Sequence, residues 1–141
     1  MSRIISALLF LILLVTDGCG AGNPKKAIFD LVEEHYDQIC AACQAEDAQA
    51  LTAMDGVTSV HITEGYVIVY CRGAGIAPSS QDYGFYYSEE NNPVTINCNQ
   101  RIECRADGLT AEGDGYQCVV SGNTFYTEHI KGNIYFYSNA Y

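Results

Sequence analysis

The stretch Tyr66-Val67-Ile68-Val69-Tyr70, with its later counterpart Ile134-Tyr135-Phe136-Tyr137, decides the fold. Successive side chains of a strand point to opposite faces of its sheet. Alternation therefore puts Val67, Val69 and Phe136 on one side and Tyr66, Tyr70, Tyr135 and Tyr137 on the other. A sheet built from such strands has an aliphatic face and an aromatic face.

Around these segments the same period of two runs from Val57 almost to the C-terminus, in β-branched and aromatic residues bounded by Gly, Asn and Asp. Strands are expected at Thr58–Ile62, Tyr66–Cys71, Gly84–Ser88, Val94–Asn97, Arg101–Ala106, Tyr116–Ser121, Thr124–Ile130 and Ile134–Ser138. Thr63-Glu64-Gly65, Gly122-Asn123 and Lys131-Gly132-Asn133 supply short hairpin turns, with longer ones at Glu89–Pro93 and Gly108–Gly115. Connections of that length are too short for parallel crossovers. An antiparallel meander over about 57–138 follows, with Gly73–Asp82 as its one long loop, of a size that often carries function.

Upstream, Asn23-Pro24 is a helix start, since asparagine caps and proline is tolerated at the first helical position. Ile28, Leu31, Val32, His35, Ile39, Ala42 and Cys43 recur at three- and four-residue spacing, with Asp30, Glu33, Glu34 and Asp37 on the other side. This predicts a helix over about 24–44, and the alanine-rich stretch beyond it a short helix at about 46–53, ended by Asp55-Gly56. The fold class is α+β: an N-terminal amphipathic helix packed on an antiparallel meander.

At the N-terminus, Arg3 precedes an apolar run from Ile4 to Val15. About a dozen residues cannot span a bilayer, which takes roughly 20, but they suit the core of an export signal. Val15-Thr16-Asp17-Gly18-Cys19-Gly20 resembles the lipobox of bacterial lipoproteins, in which a small residue precedes a cysteine that is acylated after cleavage. Gly18 and Gly20 fit that pattern, while Thr16, where leucine is usual, and the charged Asp17 depart from it. The resemblance covers the leader alone. It implies a signal segment at 1–19, a single domain at 20–141, and lipid on Cys19 holding that domain at a membrane surface. Gly20 is not the aspartate of inner-membrane retention, so the implied site is the outer membrane facing the periplasm in a diderm cell. Ordinary cleavage near Gly20 or Ala21 would instead release a soluble secreted protein.

Seven cysteines are an awkward number for an exported chain, and spending Cys19 on the leader leaves Cys40, Cys43, Cys71, Cys98, Cys104 and Cys118. Six suffice for three disulfides in an oxidising compartment, in any of about 15 pairings. Cys40 and Cys43 lie on the dry stripe of the helix and are expected to reach cysteines of the sheet. Cys40-Ala41-Ala42-Cys43 also has the spacing of a thiol–disulfide oxidoreductase. Such pairs sit at a helix N-terminus, where the dipole lowers the nucleophile's pKa, whereas here several turns of predicted helix come first. Cys98 and Cys104 are too widely spaced for a compact second half of a zinc site. His35, His61 and His129 join no triad, paired-acid or metal constellation readable in the sequence, so no metal, cofactor or catalytic residue is expected.

A formal charge of −10, from 17 acidic and seven basic residues, disfavours nucleic acid and suits a basic protein. Eleven tyrosines and no tryptophan supply the aromatic surface, with Tyr66, Tyr70, Tyr86, Tyr135 and Tyr137 as candidate contact residues. Tyr83-Gly84-Phe85-Tyr86-Tyr87-Ser88 and Thr127-Glu128-His129-Ile130 resemble segments of small bacterial proteins of unassigned function; this implies a bacterial source and no activity. The reading that results is a small exported binding protein, of inhibitor or immunity type against a basic toxin or hydrolase. A thiol–disulfide oxidoreductase using Cys40 and Cys43, or a cell-envelope glycan-binding module, are the alternatives.

Overall fold

The computed structural model describes residues 22–76, 79–93 and 108–141. Three helices precede seven strands: α1 (Pro24–Glu34), α2 (Tyr36–Gln44), α3 (Ala48–Thr52), β1 (Ser59–Thr63), β2 (Tyr66–Ile76), β3 (Ser79–Ser88), β4 (Thr110–Glu112), β5 (Gly115–Val120), β6 (Asn123–Lys131) and β7 (Ile134–Ala140). The strands form one antiparallel sheet in the order β1-β2-β3-β7-β6-β5-β4. The α+β class is as the sequence predicts; the meander is not. Each half follows chain order, but β7 closes against β3 in the centre, placing both long aromatic strands where neighbours cover them on either side.

Asn23 starts α1 as its sequence demands, its side-chain oxygen accepting from the backbone N–H groups of Lys25 and Lys26 at 3.1 and 3.4 Å. The single long helix is corrected to two, broken at His35, whose backbone sits at φ −114° and ψ 22°. Hydrogen bonds from His35 to Leu31 and from Ile39 to His35 run through the break, so the apolar stripe continues and its periodicity hides the bend. At the end of α2, Asp47 N–H donates to the Ala42 carbonyl and Glu46 N–H to that of Cys43, with Glu46 at φ +52° in the left-handed position usual for glycine. Asp47 then caps α3 through Ala50 N–H at 2.9 Å.

Two clusters fill the two faces. Against the helices lie Val67, Val69, Phe85, Tyr87, Ile134 and Phe136, closed over by Ile28, Val32, Ile39, Ala42, Cys43 and Leu51. The opposite face holds Tyr86, Phe125, Tyr135 and Tyr137, with Ile68, Leu109 and Tyr141 packed against them. Lys25 at the start of α1 pairs with Glu128 on β6, which also accepts from the Tyr126 hydroxyl at 2.5 Å. That contact pins the helix layer to the sheet.

Two further expectations are settled by pairing. The long loop at Gly73–Asp82 is mostly strand: β2 and β3 stay in register from Arg72↔Tyr83 to Ile76↔Ser79, and backbone bonds there need no apolar alternation. Thr110–Glu112, read as turn, is the edge strand β4. Expected strands at Val94–Asn97 and Arg101–Ala106, with Cys98 and Cys104, lie outside the described residues, as do the leader and Cys19. Among the described residues no helix is long and apolar enough to cross a membrane.

Candidate functional site

A one-residue bulge at Cys71 borders a concave groove between β2 and α1. Tyr70 pairs with Gly84 and Arg72 with Tyr83, leaving Cys71 as the extra residue. The bulge turns both Cys71 and Arg72 toward the helices, where they face α1 across a groove of about 540 Å³. Ala27 and Leu31 give the groove an apolar wall, and Asp30 and Glu34 on α1 and Asp55 in the α3–β1 connection supply three carboxylates. All three acids are exposed. Asp30 is paired with Lys26 at 2.5 Å, and Glu34 lies 3.9 Å from the His35 ring.

The surrounding surface keeps the same sign. Of the four described cations, Lys25 pairs with Glu128, Lys26 with Asp30, and Lys131 with Glu33 at 3.1 Å. Glu34, Asp37, Glu46, Asp47 and Asp55 remain as an exposed acidic flank over the helix layer. Sequence reading placed Asp30 and Glu34 on a wet helix face and missed the groove, because nothing in the residues around Cys71 announces a bulge.

The expected rivets from helix to sheet are corrected: Cys40, Cys43 and Cys71 are free thiols, and Cys118 is not among the free ones. Tyr36 hydrogen-bonds Cys40, and Cys71 lines the groove opposite α1. Burial pushes Cys43 up to about 12, with Cys40 adding to the rise, and burial pushes Cys71 up to about 12 as well. An activated nucleophile needs the opposite shift.

The five tyrosines part company. Tyr86 and Tyr137 have no exposed surface and Tyr135 only 6%, so these three are core residues rather than contacts. Tyr86 and Tyr135 stack at 5.4 Å, the Tyr86 hydroxyl donates to Thr127 Oγ1 at 2.7 Å, and Thr127 passes its own proton to the Phe136 carbonyl at 2.9 Å. Tyr135 donates to the Asn91 carbonyl at 2.9 Å. Tyr66 and Tyr70 stay half-buried on the same face, and burial together with Asp82 and Cys71 raises the Tyr70 hydroxyl above its ordinary range. This face is opposite the helices, so tyrosines and acidic flank cannot meet one flat partner together.

Among the described residues no group of three or more His, Cys, Asp and Glu is placed to hold a metal ion. Comparison with known proteins returns no match to a family model, a curated protein or a solved structure.

Proposed function

We propose that this chain is an exported binding protein of inhibitor or immunity type, held at a membrane surface through lipid on Cys19, and that its partner is a basic protein. The observation that carries the reading is the exposed acidic flank of the helix layer, in which most described cations are already spent on internal pairs. Uncompensated charge of one sign steers an oppositely charged partner and speeds encounter more than it tightens the final complex. A rigid sheet behind the helices keeps that flank in place. The buried, high-pKa settings of Cys43 and Cys71 favour this role over thiol chemistry.

The test is capture from the native envelope with the full chain, using cross-linking in mild detergent. A basic protein should be recovered, in amounts that fall steeply between low and physiological salt. Recovery of no protein, with no loss of self-protection when the chain is deleted, would overturn the proposal.

A further inference from the structure

We infer that the groove between α1 and the β2 bulge receives a lysine or arginine side chain presented by the basic partner. The inference deepens the binding role proposed above and rests on it.

Long cationic side chains ask two things of a pocket: an apolar wall for the methylene stem and anionic oxygens for the head. The groove offers both. Ala27 and Leu31 form the wall, and Asp30, Glu34 and Asp55 approach from two separate elements, so the acidity is gathered by the fold rather than by one helix face. A volume of about 540 Å³ accommodates one such side chain with some of its backbone. An arginine fork matches carboxylates with paired hydrogen bonds, which Glu34 and Asp55 can offer while Asp30 holds Lys26. Arg72 lines the same groove with the opposite sign. Its presence makes the inference testable by sign: neutralising the acids must weaken a cationic guest, and removing Arg72 must strengthen it.

The experiment titrates the full chain with triarginine amide at low salt, read by amide NMR shifts. Shifts should concentrate in 27–35, 55–56 and 71–72. Glu34→Gln with Asp55→Asn should weaken binding by threefold to tenfold, about what two exposed ion pairs supply. Arg72→Ala should tighten it. Glu112→Gln with Asp114→Asn, at the remote β4–β5 turn, removes the same charge and should leave affinity unchanged. Equal weakening by the remote pair would show diffuse attraction to net charge and overturn the groove. Repeating envelope capture with the groove variant separates the two ideas. Capture lost supports the groove, and capture at full strength overturns it while leaving the binding role intact. If the unaltered chain captures nothing, the binding role falls, and triarginine alone then decides the groove.

Discussion

Phe85 and Tyr86 are adjacent in β3, and neither has exposed surface, yet they belong to differently made halves of the molecule. Phe85 points to the helices, where closure comes from apolar area removed from water at about 25 cal/mol per Å². Tyr86 points the other way, into a cluster of rings that must also satisfy hydroxyls. It manages this with a relay through Thr127 to the Phe136 carbonyl, so the polar handle is tied back into the sheet itself. A tyrosine face can thus be core when the strand beside it carries an acceptor in register.

The largest break in the comparison should come from Phe85→Ala. Removing a fully buried ring beneath three helices costs about 3–5 kcal/mol, through lost transfer energy and the cavity left behind. Urea unfolding should show the midpoint fall with little change in slope. A loss below about 1 kcal/mol would mean that the helix layer is not the main seal.

Alkaline pH separates the halves next. Burial raises the Cys43 thiol from about 9 to about 12, so the folded state favours its protonated form. That contribution is complete below pH 9 and is lost as pH climbs through 12, at on the order of 1.4 kcal/mol per unit. Tyrosine hydroxyls raised by burial, such as Tyr135, act with the same sign but begin only above 10. Cys71, pushed up to about 12 by burial, acts over the same window, so stability measured from pH 8 upward should start to fall near 9, Cys43→Ala should make that fall shallower, and Cys43→Ala with Cys71→Ala should delay its onset. An onset already above 10 in the unaltered chain would assign the loss to the tyrosine side.

How much of this was legible follows the same division. Alternation in Tyr66–Tyr70 and Ile134–Tyr137 identified both faces correctly, and Asn23-Pro24 marked the start of α1, because those signals are local. Which face would stay wet was not local. It depended on β7 inserting beside β3, which brings Tyr135 onto Tyr86, and on Thr127 lying opposite Tyr137. The cysteines misled for the same reason: shared dryness along one helix said nothing about which cysteines pair. The groove was hidden in a one-residue bulge, for which Cys71-Arg72 gives no composition signal.

Gly84 probes how tightly the tyrosine side is closed. A Cβ there would sit 2.0 Å from the Val69 carbonyl oxygen and 2.8 Å from the Tyr137 ring, which lies across the glycine. Gly84→Ala must push the ring or the strand aside, at about 1–3 kcal/mol. Thermal unfolding of the variant checks this. An unchanged melting temperature would mean that the Tyr137 ring moves freely and that the second cluster is loosely packed.

The finest test is Tyr86→Phe, which keeps the ring, its stacking on Tyr135 and nearly all its volume, and deletes one oxygen. Thr127 Oγ1 loses the donor but still gives its own proton to the Phe136 carbonyl, so no buried donor is stranded. The cost should stay near that of one hydrogen bond, about 1 kcal/mol, rather than that of an orphaned polar group. Thr127→Val inverts the situation by leaving the Tyr86 hydroxyl without this acceptor, and should cost more. If the two variants lose the same amount, or if Tyr86→Phe gains stability, the relay is incidental and the rings alone close this face. Should Thr127→Val lose more, the hydroxyls decide why an aromatic sheet face that alternation alone would leave open is instead the second core.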